Sequence, residues 1–267
     1  MNKMTMIIGG VDGTGPSEDD EYTVEFQNSH VSALTKRPDF MASKYLRGPS
    51  ALGSETQGLA NNIAFWVEQQ MDVMKLRRKE NPNVDLPDPH VYLTGYSRGG
   101  ASVIHACLQL QGKGIPVHCL MLFDAVDRST ISDVDVIPGN VKFAFHARRH
   151  PSAGSREMFG NCGTRAASGV KYEENFFYAT HGGVGGTPWD KAKSDGRIHE
   201  MTDGQKAGML SVGAAGGPLA FKAANDFIRV NDPTNVTLEQ DKAGSKLSME
   251  WMLNRVASVR HANLLTG

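Results

Sequence analysis

Residues 90–106 read His90-Val91-Tyr92-Leu93-Thr94-Gly95-Tyr96-Ser97-Arg98-Gly99-Gly100-Ala101-Ser102-Val103-Ile104-His105-Ala106. Residues 90–94 are a short β-branched and aromatic run, which predicts a strand. Gly95-Tyr96-Ser97-Arg98-Gly99 then fits G-x-S-x-G. Small and apolar residues 99–110 predict a helix that stops near Gly112 and Gly114. A strand, a tight turn and a helix in this order set a serine on a strained turn with its hydroxyl exposed. Glycines flank such a turn because the strand and helix backbones pass too close for side chains. The start of the helix adds backbone N–H groups whose partial positive charge suits a developing oxyanion. Ser97 is therefore the candidate nucleophile, and the Arg98 N–H one candidate oxyanion donor.

The flanking segments extend this pattern into a fold. Residues 4–11 predict a first buried strand, ended by Asp12-Gly13-Thr14-Gly15-Pro16. Residues 15–55 are polar, with scattered Gly, Ser and Pro, and are expected to form a long loop or irregular insertion of the kind that serves as a lid. Residues 61–79 place Ile63, Val67, Gln70, Met71 and Met74 on one helical face, and Asn81-Pro82 stops that helix. Residues 117–123, 141–146 and 175–180 predict further strands, the first closing on Asp124 and the last on His181. Met249, Met252, Leu253 and Val256 mark the apolar face of a final helix. Alternating strands and helices predict a mainly parallel sheet with helices on both faces. With the serine turn, this is an α/β fold of the α/β-hydrolase type, expected to form one domain over residues 1–267.

Composition narrows the partners. The chain has 267 residues, 40% of them hydrophobic, which is enough for a sizeable core. Its 28 basic and 29 acidic residues give a formal charge of -1, so no overall basic field argues for nucleic acid. The three cysteines, Cys107, Cys119 and Cys162, form no C-x-x-C pair. Neither a disulfide framework nor a zinc site is expected, and a reducing compartment is. The first residues do not have the make-up of a secretory signal, and no run reaches the roughly 18 apolar residues of a membrane span. Cytoplasmic synthesis is expected, with any membrane met at its surface. Asn235-Val236-Thr237 matches a glycosylation sequon, which is not expected to be used.

A serine hydroxyl needs a base, and the base needs a partner that fixes its tautomer. In this fold the chain order is Ser, then Asp or Glu, then His. Of nine histidines, His30 and His90 precede Ser97. His105 lies on the helix after the turn, and His118 opens a strand. His146 and His150 sit in a cationic cluster, and His199 and His261 have little local support. His181 closes a late strand and enters a glycine-rich stretch, which makes it the candidate base. Asp124, at the end of its strand, is the favoured acid, with Asp127 as competitor. The second oxyanion donor is expected from Val11-Asp12-Gly13-Thr14, although Asp12 is equally open to binding a cation or pairing with Arg98. Arg148, Arg149 and Arg156 either hold a substrate phosphate or carboxylate or pair with acidic neighbours. This chemistry requires no metal or organic cofactor.

Several blocks together resemble a known group. They are Gly10-Val11-Asp12-Gly13-Thr14-Gly15, Gly95-Tyr96-Ser97-Arg98-Gly99-Gly100-Ala101, Phe123-Asp124-Ala125-Val126, His146-Ala147 with Arg156 and Phe159, His181 through Gly186, and Ser248-Met249-Glu250-Trp251-Met252. In content and order they resemble the α/β-hydrolase domain of type VI secretion lipase effectors and their relatives. The resemblance implies a phospholipase or related ester hydrolase with Ser97 as nucleophile, Asp124 as acid and His181 as base. It also implies a lipid substrate, contact with a membrane surface and delivery by a secretion system. The chain departs from the family pattern at Tyr96 and Gly100, often Phe and Ala there, at Gly183, where the family has Asp, and at Arg148-Arg149-His150-Pro151, where it has an acidic pair. Two other readings use the same residues: a serine thioesterase or transacylase, and a non-catalytic interaction module of the same fold.

Overall fold

The computed structural model describes residues 5–50, 55–84, 86–127, 134–157, 159–201, 203–232 and 234–265. In chain order the first elements are β1 (Met6–Val11), α1 (Asp19–Phe26), α2 (His30–Thr35), β2 (Ala42–Leu46), α3 (Thr56–Glu80), β3 (His90–Tyr96), α4 (Arg98–Gly112) and β4 (Val117–Phe123). There follow β5 (Val136–Ile137), β6 (Val141–Arg149), β7 (Arg165–Ala166), β8 (Lys171–Phe177), α5 (His181–Gly185), α6 (Asp203–Ala215), α7 (Pro218–Asn231) and α8 (Leu238–Leu265). Six strands form one sheet in the order β2-β1-β3-β4-β6-β8, and every neighbouring pair runs parallel. β5 and β7 make a separate small parallel pair.

The inner strands read as near-continuous apolar runs because helices cover both faces of the sheet. Alternate residues go to opposite sides, as the pleat requires. Ile7, Leu93 and Leu120 pack with Ile63, Val67 and Met71 of α3 and Ile104 and Leu110 of α4. Ile8, Tyr92 and Met121 pack instead with Val31 and Leu34 of α2 and with Met252, Val256 and Val259 of α8. The chain runs from β1 outward to β2, then returns to build β3, β4, β6 and β8 on the other side. The strand order thus reverses between β1 and β3, and in open parallel sheets such a reversal leaves a crevice at the carboxyl ends of the strands. This layered parallel sheet with the serine turn at its centre is the α/β-hydrolase architecture.

Three expectations are corrected. The stretch 15–55 is not an irregular insertion: it folds into α1, α2 and the edge strand β2, which pairs in register with β1 from Ile7↔Ala42 to Val11↔Leu46. Its helices were hidden because α1 is short and acidic, burying only Tyr22 and Phe26, whose rings stack at 4.4 Å. The last strand spans Lys171–Phe177, not 175–180, because an edge strand alternates exposed and half-buried residues and lacks an apolar run. His181 consequently does not close the strand but opens the short helix α5. All three cysteines are free and buried, and burial pushes their thiols well above the usual range. No helix among the described residues is long and apolar enough to cross a membrane.

Candidate active site

β3 delivers the chain into Ser97 at φ 54° and ψ -129°, a positive φ that costs a residue with a side chain free energy. Three hydrogen bonds hold the turn. Ser97 N–H donates to the Phe123 carbonyl at 3.1 Å, and the Ser97 carbonyl accepts from Gly100 at 2.9 Å and Val126 at 3.1 Å. A Cβ on Gly95 would stand 2.5 Å from the Gly99 carbonyl, and one on Gly99 would collide with the carbonyls of Val11 and Asp12. Both glycines are therefore fixed by close backbone approach.

His181 faces Ser97 from the start of α5, with Nε2 at 2.9 Å from Ser97 Oγ and Nδ1 at 2.6 Å from Asp124 Oδ2. Thr180 caps this helix, its hydroxyl accepting from Gly183 N–H at 2.9 Å. Asp241 of α8 steadies the cap by accepting from Thr180 N–H at 2.7 Å and Thr180 Oγ1 at 2.9 Å. A Cβ on Gly183 would collide with Asp241 Oδ1. The carboxylate that the resemblance places at position 183 is thus absent there, and one from α8 fills that space. The His181 N–H donates to Ser155 Oγ at 2.7 Å.

Asp124 lies just beyond β4 at φ 42° and is fully buried. Its Oδ1 accepts from Asn161 Nδ2 at 2.8 Å, and its Oδ2 meets Arg149 Nη1 at 2.5 Å as well as His181. Burial by itself would raise this carboxyl, but the Arg149 guanidinium and His181 outweigh it and hold the group well below the usual carboxylate range. Burial lowers the basicity of His181, and Arg149 and Arg156 add to that, against the upward pull of Asp124. Asp124, not Asp127, thus meets the imidazole. His146 is spoken for: its Nε2 accepts from Ala125 N–H at 3.0 Å, its Nδ1 lies 3.2 Å from the Gly163 carbonyl, and burial drops its pKa to about 4. His30 is equally structural, with Nε2 at 3.0 Å from the Ser245 carbonyl.

Ser97 and His181 open onto a cleft of about 540 Å³. Phe26, Val126, Phe159 and Trp189 contribute apolar surface to it, and Glu25, Arg98, Arg156, Asp190 and Glu200 contribute charge. Among the four loop residues expected to hold an oxyanion, Thr14 alone lines the cleft. Val11 ends β1 inside the core. The Gly13 N–H donates to Asp12 Oδ1 at 2.9 Å, which turns that amide toward its own neighbour. Asp12 points away from the cleft, its Oδ2 accepting from the hydroxyls of Ser29 and Tyr45. It therefore holds the loop and is not part of the cleft lining, while the Arg98 guanidinium reaches the Ser50 carbonyl at 3.3 Å. Thr14 Oγ1 is buried without a hydrogen-bond partner.

Burial lifts the Asp12 pKa from 3.8 to about 7, against the opposing hydrogen bonds from Ser29, Gly13 and Tyr45. The folded chain then holds this proton up to about pH 7, while the unfolded chain releases it near 3.8. More protons on the folded side mean that stability falls as pH rises through that window. Asp12→Asn is expected to flatten this part of the stability curve, read as urea midpoints at about pH 5 and about pH 8. A variant as pH-dependent as the wild type would refute the assignment.

Of the three clustered arginines, Arg156 alone reaches the cleft. Arg148 pairs with Glu174 at 2.7 Å and lies over the Phe176 ring, and Arg149 is committed to Asp124. Arg156 Nε stands 3.5 Å from Glu200 Oε1, and burial raises the Glu200 carboxyl to about 7. Sequence reasoning missed several residues of the site. Asn161 and Asp241 come from segments without a motif. Tyr96 was noted only as a departure, yet its ring fills the space between Gly13 and Gly185: a Cβ on Gly13 would stand 2.5 Å from Tyr96 Cε1, and one on Gly185 2.5 Å from Tyr96 Cδ2. Among the described residues no group of three or more His, Cys, Asp or Glu side chains is placed to hold a metal ion.

No family profile matches the chain, and no curated protein matches it. Solved structures similar to parts of it include the type II thioesterase of the yersiniabactin NRPS/PKS pathway, at 17% identity and a TM-score of 0.27, over 53% of this chain and 44% of that one. This chain thus spans less than half the length of that structure. A thioesterase of the prodiginine pathway in Streptomyces coelicolor is 14% identical with a TM-score of 0.36, over 69% of this chain and 82% of that one. The thioesterase domain that cyclizes the lipopeptide antibiotic surfactin is 14% identical with a TM-score of 0.33, over 67% and 83%. The fold assignment rests on this chain's own strand order and serine turn.

Proposed function

We propose that this protein is a serine hydrolase of acyl esters and thioesters, with Ser97 as nucleophile, His181 as general base and Asp124 as the group that orients it. The observation that carries the reading is the unbroken series Ser97 Oγ, His181 and Asp124, with contacts of 2.9 Å and 2.6 Å, whose first two members lie on the wall of an open cleft. His181 Nε2 takes the hydroxyl proton as Ser97 Oγ attacks the acyl carbon. Asp124 stabilises the imidazolium that results. The Arg98 N–H, in the first turn of α4 where amides have no acceptor within the helix, points its dipole at the developing oxyanion. The backbone N–H of Thr14, the one residue of the 11–14 loop on the cleft wall, supplies the second donor. His181 then returns the proton to the leaving alcohol or thiol, and the acyl group stays on Ser97. Water releases the acid in a second step with His181 again as base. No metal or cofactor enters any step.

The charged lining of the cleft favours a substrate with polar groups close to the scissile bond over a bare alkyl chain. A lipid ester remains one member of the test panel, because the resemblance implies it. Short aryl esters, acyl thioesters and phospholipid vesicles should be assayed with wild type and Ser97→Ala, alongside labelling by a fluorophosphonate probe. Wild type is expected to label and to turn over an ester or thioester, and Ser97→Ala to lose both by at least about 10³-fold. Failure of the native protein to label, or labelling that survives Ser97→Ala, would instead support the non-catalytic module.

A further inference from the structure

Arg149 ends β6 with its side chain only 8% exposed. Every nitrogen of the guanidinium has an acceptor. Nη1 meets Asp124 Oδ2 at 2.5 Å, Nε donates to the Ser155 carbonyl at 2.8 Å, and Nη2 donates to the carbonyls of Arg156 at 3.0 Å and Phe159 at 2.5 Å. One side chain thus joins the acid beyond β4 to the segment 155–159. That segment carries Ser155, which accepts the His181 N–H, and the cleft residues Arg156 and Phe159. The Phe159 ring stands edge-on to His181, with centroids 5.8 Å apart.

We propose that Arg149 is a positioning residue with two separable duties: its charge balances the Asp124 carboxylate against the His181 imidazole, and its fork fixes the cleft wall formed by Arg156 and Phe159. The inference rests on the hydrolase reading of the same site. The balance follows from where the charges sit. Arg149 and His181 share one oxygen, Asp124 Oδ2, so the guanidinium repels a proton arriving on the imidazole and offsets part of the attraction of Asp124. Other groups around this pair are fewer in effect. Arg156 also repels the imidazolium, while Tyr96, beside the ring, is held neutral by burial. His146, behind Asp124, is neutral, Glu200 sits against Arg156, and Asp241 supports Thr180 from α8. Among these, Arg149 is the cation in contact with the acid. The wall follows from geometry: a planar fork with donors in fixed directions meets three carbonyls at once, which an ammonium does not.

The two duties part company in a pair of substitutions. Arg149→Met removes charge and fork, whereas Arg149→Lys keeps the charge and loses the fork. The His181 titration midpoint is read by NMR of its imidazole in a Ser97→Ala background, where no activity is needed, and kcat and KM are followed against pH in the Ser97 enzyme. Arg149→Met is expected to raise the His181 midpoint by about one pH unit or more and to move the acid limb of kcat/KM up with it. Arg149→Lys is expected to leave the midpoint near that of the wild type and to raise KM several-fold with a smaller change in kcat. If Arg149→Met does not fold, Arg149→Gln, neutral but still able to hydrogen bond, takes its place. A folded neutral variant with an unmoved midpoint, or a Lys variant that shifts as far as Met, overturns the charge role. A Lys variant with unchanged KM overturns the wall. A wild-type protein without hydrolase activity but with the expected NMR shift would remove the hydrolase reading and leave the electrostatic assignment intact.

Discussion

Asp124→Asn is expected to lose about 10⁴-fold in kcat and about 3–5 kcal/mol of folding stability together. The kinetic part comes from the imidazole. Asp124 accepts at 2.6 Å from His181 Nδ1, which keeps Nε2 free to take the serine proton. An asparagine can present its amide N–H there instead, select the other tautomer and leave Nε2 protonated. The stability part comes from Arg149. Its guanidinium is buried against the Asp124 carboxylate, and a neutral amide would leave that cation uncompensated. In an acid without such a partner the same change would be close to isosteric and mild. Parallel kinetics and urea unfolding test the pairing: a variant as stable as the wild type would show that Arg149 does not depend on this acid.

Gly183→Asp is also expected to be damaging, although it restores the residue that the type VI lipase resemblance places there. A side chain at 183 would drive into Asp241 Oδ1, with the Asp241 Cγ only 2.9 Å from the new Cβ and the Ala179 Cβ at 3.1 Å. It would also set a second carboxylate beside one whose burial already raises its pKa. The Thr180 cap rests on Asp241, and His181 is the first residue of the helix it caps, so the base loses its position. Turnover should fall by about 10²-fold or more, the cost associated with a misplacement of about 1 Å in a catalytic group. Gly183→Asp combined with Asp241→Gly should recover part of that loss, because the new carboxylate then has the space to itself. Equal damage in the single and double variants would show that the two positions do not exchange roles.

How much of this was legible in the chain depends on where each residue packs. β1, β3, β4 and β6 were readable because a strand covered on both faces has to be apolar along its length. β2 and β8 are edge strands whose half-exposed residues, such as Lys44 and Glu173, carry no such run. The order Ser97, Asp124, His181 could be read because each ends or follows a strand at the same edge of a parallel sheet. Arg149 read as one of three surface cations, but register explains its burial. Phe123 pairs with Ala147 across β4 and β6, and Arg149, two residues beyond Ala147 and on the same side of the sheet, meets Asp124 just past the end of β4. Asn161 and Asp241 reach the site across chain distances of 37 and 61 residues, from Asp124 and Thr180 respectively. No local pattern encodes such meetings.

The Tyr96 ring between Gly13 and Gly185 also bears on how this cleft can be redesigned. The loop at Gly13 and the helix α5 at Gly185 are held apart by one aromatic side chain, so positions 13, 96 and 185 act as a single unit of exchange. A library that randomises one of them at a time will score all three as intolerant. Variants with a smaller residue at 96 and larger ones at 13 or 185 lie behind a valley that only coupled mutagenesis crosses, and those are the variants in which the spacing of this loop and helix changes.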